Sequence, residues 1–207
     1  MPFEIRPLKE FLVRPALPDG LSRLSELAYN VLWSWDLTIR SLFRRLDSKL
    51  WDATDHNPVL MLGEIPQETL DAAVADPRFR ALYRRACERY DAYMSRPLTS
   101  KNMVVAYFSM EYGLVRCMPI YSGGLGLLSG DHLKAASDAA IPLVAVGLLY
   151  QKGYLEQALN PDGWQIERYP ENDFYTQPVS PVLDAGCGPQ LPMGQLPIGE
   201  GKNGVHR

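Results

Sequence analysis

Two short apolar runs constrain this chain more than any other feature. "MVVAYFSM" spans residues 103–110 and "PLVAVGLLY" spans residues 142–150. Both are rich in β-branched and aromatic residues and neither alternates with polar ones, so each reads as a buried strand. Between them, the stretch from about Gly126 to Ala140 reads as a helix, with Leu127, Leu128, His132 or Leu133, Ala135, Ala136 and Ala139 as its apolar stripe and Pro142 as its stop. Strand, helix, strand with two apolar strands predicts a parallel pair joined by a right-handed crossover, and so an α/β fold. Two parallel strands do not make a finished sheet. The expectation is therefore a fragment, truncated inside an α/β domain.

The first 98 or so residues follow a different period. "LSRLSELAYNVLWSW" places Leu21, Leu24, Leu27, Ala28, Val31, Leu32 and Trp35 on one helical stripe. Asp36 is placed to cap a second helix with Ile39, Leu42, Phe43 and Leu46 as its buried face. Asn57-Pro58 and Asp76-Pro77 each set a capping side chain before a proline at the first helical position. The last of these helices should bury Phe79, Leu82, Tyr83, Ala86, Tyr90 and Tyr93 and leave "YRRACER" as a solvated face. The predicted organisation is a helical domain over 1–98, the start of a catalytic α/β domain over 99–183, and an irregular tail over 184–207. That tail holds six glycines and three prolines in 24 residues.

Bulk properties exclude several classes. The chain has 207 residues and a net charge of −3, which gives no electrostatic case for nucleic acid or an anionic membrane. The start contains Glu4, Arg6, Lys9, Glu10 and Arg14 and lacks the apolar core of a secretory signal. The longest strongly apolar run, residues 141–150, is about half a membrane span. Three scattered cysteines, Cys87, Cys117 and Cys187, argue for a reducing cytoplasm rather than a disulfide framework. Neither they nor His56, His132 and His206 show metal-ligand spacing.

Chemistry concentrates where the helix begins. "SGGLGLLSG" carries Gly123, Gly124, Gly126 and Gly130. The N–H groups of a first helical turn lack internal partners and sit at the positive end of the dipole, and glycines let a ligand approach them. That combination holds a phosphate or another anion. The alternative is a tight connection whose glycines only satisfy backbone angles. About a dozen residues separate the first strand from Gly123, which argues against a dinucleotide fingerprint. Glu111 lies just past that strand, at the end where open α/β sheets place ligands; a surface carboxylate is the alternative. Asp131 and His132 on the first turns, and Tyr107 on the strand, stay open between packing and ligand roles. Trp33 and Trp35 sit on an amphipathic helix and fit a core better than a sugar platform.

Longer motifs carry a resemblance. "VAYFSMEYGL", "PIYSGGLGLLSGDHLKAASDAAIPLVAVGLLYQKGYLEQ", "DGWQ" and "YPENDFY" resemble the front of the α-glucan (glycogen/maltodextrin) phosphorylases of the shorter bacterial kind. "LAYNVLWSWD" and "LFRRLDSKLWDATDHNPV" are similar to the helical domain that precedes the catalytic part in that branch. The resemblance covers roughly residues 15–183. It implies two Rossmann-like domains of the glycosyltransferase-B type, with this chain holding the beginning of the first. It implies α-1,4-glucan and inorganic phosphate as partners, glucose 1-phosphate as product, and possible homodimers of the full-length protein. It also implies pyridoxal 5'-phosphate held on a lysine of the second domain, a lysine that no position here matches. Under the resemblance, Gly123 and Gly124 face the substrate and cofactor phosphates, Leu125 and Gly126 line the glucosyl site, and Glu111 lines the active site.

Two other functions compete. A glycogen or starch synthase-like transferase carries a similar loop, but near its chain start and after a lysine; here about 120 residues precede the loop and its neighbour is Ser122. A non-catalytic glucan-binding module built on the helical domain is the other.

Overall fold

The computed structural model describes residues 15–181 and the backbone of residues 194 and 195. The predicted tail therefore lies almost wholly outside the described residues. The fold is mixed: a helical layer, then small two-stranded sheets around one further helix.

Six helices make the layer: α1 Leu24–Tyr29, α2 Leu37–Leu46, α3 Ser48–Ala53, α4 Pro58–Glu64, α5 Gln67–Ala75 and α6 Pro77–Met94. Their starts follow the predicted caps. The Asp36 carboxylate accepts from the Thr38 and Ile39 N–H groups, and Asn57 does the same for Val59 and Leu60. Asp76 accepts from the Arg78 N–H. Each cap satisfies donors that a helix end would leave unpaired. Ile39, Leu42, Phe43 and Leu46 are buried as α2 requires. On α6, Phe79, Ala86, Cys87 and Tyr90 are buried, and Leu82, Tyr83 and Tyr93 pack half-buried against the core.

The first stripe has the predicted period but is not one helix. Asn30 leaves the helical region (φ −88°, ψ 116°) and its side chain accepts from the Leu32 N–H. This divides the stripe into α1 and a 3-10 turn over Val31–Ser34. Asn competes for backbone donors in this way, and a residue at the junction caps the second piece. The core forms despite the break. Leu21, Leu24, Leu27, Ala28, Val31, Leu32 and Trp33 are buried, and Trp33 meets Trp51 edge-on while Trp51 stacks on Phe43. Trp35 stays half-buried.

The sheet unit begins with β1, Val105–Phe108, which pairs in parallel with β2, Leu143–Val146, in the register Val105↔Leu143 to Phe108↔Val146. α7, Gly124–Asp138, connects them. The parallel pair is as predicted, but the strands are not buried. Val104 and Phe108 are 67% and 72% exposed, and Val144, Val146 and Leu148 are also exposed. The reason is geometric: among the described residues this sheet has two strands, so little packs against most of the ribbon's surface.

α7 turns only part of the predicted face inward: Leu133 and Ala136 are buried as expected, but Leu127, Leu128, Ala135 and Ala139 are not. Gly126, Ser129, Gly130, Leu133 and Ala136 are buried, while Leu127, Leu128 and His132 are exposed. The inward face consists mostly of small residues because another backbone lies directly on it. Gly113 donates its N–H to the Gly126 carbonyl at 2.7 Å.

The segment from Glu111 to Ile120 is loop in secondary structure but core in packing: Tyr112, Leu114, Val115, Met118 and Ile120 join the same buried cluster as the helical layer. The far end of α7 is tied to that layer by polar contacts. The Tyr93 hydroxyl donates to Asp138 Oδ1 (2.7 Å) and lies 2.8 Å from the Ser137 hydroxyl. Arg96 donates to the Ser137 and Asp138 carbonyls, closing the C-terminal end of the helix. A hairpin follows, β3 Glu156–Leu159 with β4 Gln165–Arg168, and then a short pair, β5 Ser180–Pro181 with β6 Gly194–Gln195. No helix among the described residues is long and apolar enough to cross a membrane.

Candidate functional site

The candidate site lies where the chain leaving β1 meets the start of α7. Three hydroxyls hold the departing segment. Ser109 Oγ lies 3.1 Å from Ser129 Oγ and donates to the Glu111 carbonyl at 3.0 Å. Ser129 Oγ bonds the Leu125 carbonyl, which is the ordinary i−4 back-bond of a helical serine. Tyr107 Oη donates to Ser129 Oγ at 3.3 Å. Tyr112, buried at the turn, donates its hydroxyl to the Tyr107 carbonyl (2.8 Å) and sits 3.0 Å from the Val146 carbonyl. It thus spans the C-terminal ends of both strands. Its ring leaves no room for a Cβ at Gly147, which would fall 2.6 Å away. Burial pushes the Tyr112 phenol up from its ordinary value, so it remains a hydrogen-bond donor.

These contacts aim Glu111 at the helix mouth. Its carboxylate accepts from the Ser122 hydroxyl at 2.9 Å and from the Ser122 N–H at 3.3 Å. A carboxylate at a helix N-terminus is favoured by the dipole. Glu111 therefore orders the residue immediately before the glycines.

The glycines divide by what surrounds them. A Cβ on Gly126 would fall 2.5 Å from Tyr121 Cβ and 3.1 Å from Glu111 Oε2, and one on Gly130 would collide with the Gly113 backbone. Those two glycines let the Glu111–Gly113 segment lie on α7. Gly123 and Gly124 meet nothing within 4 Å. Gly123 is extended (φ −153°, ψ −158°), a backbone any residue adopts. Neither packing nor backbone angle demands a glycine at Gly123 or Gly124. The N–H groups of Gly124, Leu125 and Gly126 have no intrahelical partner, and no side chain caps them. Leu125 is 59% exposed beside them. The result is an open row of N–H donors next to a fixed carboxylate, suited to an anion and a hydroxyl-rich ligand held side by side.

The sequence-predicted residues thus fall together: Glu111, Gly123, Gly124, Leu125 and Gly126 share one corner. Tyr107 faces inward, edge-on to Tyr112 and His132. Asp131 and His132 are exposed. Sequence reasoning missed Ser109, Tyr112, Gly113, Ser122 and Ser129, which build the corner. The signal present was Gly113 directly after "SMEY", a glycine with no turn to explain it. Lys134 stands ten residues beyond Gly124, about 15 Å along the helix. Burial lowers its pKa, and its ammonium lies 5.9 Å from the Trp35 ring. Lys152 pairs with Glu171 at 3.5 Å. Cys117 is a free thiol whose pKa burial pushes up to about 12, so it is not a poised nucleophile.

Comparison with known proteins bears on the chain as a whole. A family model described as a protein of unknown function, DUF3417, matches residues 17–118. A glycogen phosphorylase of Mycobacterium tuberculosis is 39% identical over 98% of this chain and 24% of its own length. A maltodextrin phosphorylase of Thermococcus litoralis is 41% identical over 86% of the chain and 22% of its length. A glycogen phosphorylase of Aquifex aeolicus is 39% identical over 78% and 23%. No solved structure matches. The chain belongs to the glycogen/maltodextrin phosphorylase family and corresponds to the N-terminal part of its members. It spans about a quarter of the length of the curated relatives it matches. The mycobacterial match, at 98%, extends beyond the motifs of residues 15–183.

Proposed function

We propose that this chain supplies the glycine-loop half of the active site of an α-1,4-glucan phosphorylase, an enzyme that cleaves glucan with inorganic phosphate and releases glucose 1-phosphate. The observation that carries the proposal is the pairing of Glu111, fixed on Ser122, with the open Gly123 and Gly124. Free N–H donors at a helix start stabilise phosphate and developing negative charge without adding a titrating group. The Glu111 carboxylate accepts hydroxyl donors, which suits it to a sugar. Leu125 offers the apolar face against which a glucosyl ring rests.

In this reading residues 1–98 form a helical domain. Residues 99–183 begin a Rossmann-like domain of the glycosyltransferase-B type, whose second domain closes the cleft. The phosphate end of pyridoxal 5'-phosphate would suit the open N–H groups of Gly124 and Leu125, beside Gly123. The described residues offer nothing beside those groups for its aldehyde: Lys134 is about 15 Å along α7 from Gly124. When bound, the cofactor supplies a phosphate acid/base. This chain's part is to position anions and sugar against fixed donors. We therefore read the chain as a fragment that is inactive alone, working in the cytoplasm as a piece of a homodimeric enzyme.

The test is an assay of the purified chain with maltodextrin and phosphate, alone and with the lysine-bearing remainder of such an enzyme supplied separately. Glucose 1-phosphate should appear only in the mixture, and Gly124→Val should abolish it there. Turnover by the chain alone, or turnover in the mixture untouched by Gly124→Val, overturns the reading.

A further inference from the structure

A second charged feature lies on the helical layer, on residues outside the glycine corner. α2 carries Arg40, Arg44 and Arg45 and no acidic residue. α6 carries Arg78, Arg80, Arg84, Arg85 and Arg89 against Glu88 and Asp91. These two helices pack on each other and concentrate positive charge in a chain whose net charge is −3. Ser41, Arg44 and Arg45 share one face of α2, Ser48 opens α3 just beyond it, and Arg78, Ala81, Leu82 and Arg85 follow the i, i+3, i+4, i+7 spacing of one face of α6. The two stripes line one groove of about 870 Å³.

The groove holds four guanidinium groups and two serine hydroxyls and no carboxylate. Among the described residues none of Arg44, Arg45, Arg78 and Arg85 makes an ion pair, although the chain pairs Arg23, Arg89 and Arg116 with aspartates. Asp47 and Asp76, the acids adjacent in sequence, are turned to backbone: Asp47 accepts from the Lys49 and Leu50 N–H groups and Asp76 from the Arg78 N–H. Arg78 also stands in the first turn of α6, at the positive end of its dipole, where the Asp76 cap serves the backbone N–H and makes no ion pair with the guanidinium. Helix stability does not ask for an arginine there. Planar guanidinium forks bind phosphoryl oxygens two at a time, and the Ser48 hydroxyl adds a donor beside them; the Ser41 hydroxyl donates to the Leu37 carbonyl.

We propose that the α2–α6 groove is a binding site for a small oligophosphate anion, a ligand with two or more phosphoryl groups, held by Arg44, Arg45, Arg78 and Arg85. The ligand is small because the four arginines are confined to one open groove of about 870 Å³ between α2 and α6. Pyrophosphate and the polyphosphate end of a nucleotide present the same chemistry.

The test is a titration of the full 15N-labelled chain with sodium pyrophosphate. Expected are saturable amide shifts confined to residues 41–48 and 78–85, weakening as salt rises from about 50 mM to about 200 mM. The exposed pair Arg44→Gln/Arg85→Gln should weaken binding by about tenfold or more, and Arg44→Lys/Arg85→Lys by less. A parallel titration with a nucleoside triphosphate shows whether a base adds affinity; tighter binding there, with the same shifts, assigns the phosphate to a nucleotide and supports the site. Absence of saturation overturns the proposal. So do shifts spread over all basic residues, binding unaffected by the glutamine pair, or a single-stranded oligonucleotide that outcompetes pyrophosphate. Phosphorolysis does not enter the readout, so failure here leaves the glycine-corner reading standing.

Discussion

The helical layer and the β1–α7–β2 unit are both rich in apolar residues and use them differently. In the layer, Leu21, Leu24, Leu27, Val31, Ile39, Leu42 and Phe43 have essentially no exposed surface. Each such side chain contributes roughly 1.5–3 kcal/mol by leaving water. In the strand unit, Val104, Phe108, Met110, Leu125, Leu128, Val144 and Leu148 stay largely exposed. Only what points toward the layer, such as Tyr112, Met118 and Leu133, is buried. The layer closes its own core. The strand unit is a surface resting on that core, with an apolar outer side of the kind that marks an interaction face. This is why the site corner is open to a ligand from outside.

The contrast breaks most directly at two phenylalanines. Phe43, 0% exposed and stacked on Trp51 at 6.1 Å, should cost about 3–5 kcal/mol when replaced by alanine. Phe108→Ala, at 72% exposure, should stay within about 0.5 kcal/mol. Urea unfolding midpoints of the two variants measure the difference; equal losses would mean that the strand unit has a core of its own. The glycines sharpen the comparison within the site. Gly130→Ala forces a Cβ into the Gly113 backbone and should destabilise by roughly 1–3 kcal/mol. Gly124→Ala meets only open space and should be neutral or slightly stabilising, by less than about 1 kcal/mol. If thermal melts rank them the other way, the division of the glycines into packing and open positions is wrong.

The capping signals and the order of strands and helix are legible in the sequence; the break at Asn30 and the packing across α7 are not. Asp36, Asn57-Pro58 and Asp76-Pro77 marked true helix starts, because a cap is a contact between residues two or three apart. The parallel pairing of β1 and β2 was also legible, from two apolar runs with a helix between them. The inward face of α7 was not. Leu127 and Leu128 looked like its core, yet Gly126 and Gly130 are buried, because the segment at Gly113 lies across the helix from more than a dozen residues away. Glu111 and the glycines were legible as separate candidates. The Glu111–Ser122 bond and the serine–tyrosine scaffold beneath it depend on that same crossing.

The end of α7 shows how a local rule can be overridden, and it carries the smallest expected effect. The Ile141 N–H bonds the Ala136 carbonyl and the Ala140 N–H bonds the Ser137 carbonyl, the paired bonds of a Schellman ending. Ala140, at φ 53°, occupies the left-handed position that usually belongs to glycine. A Cβ there costs about 1–2 kcal/mol, and the Thr99 N–H bond to the Ala140 carbonyl helps hold it. Replacing Ala140 with glycine removes that steric cost but adds freedom to the unfolded chain, so the gain should be about 0.5–1 kcal/mol. A rise in melting temperature with unchanged amide shifts at Gly123 to Gly126 is the expected result. A fall would mean that the α7–β2 turn needs the stiffness of alanine more than the relief of its Cβ. The connection would then store strain at the end of the helix opposite the site.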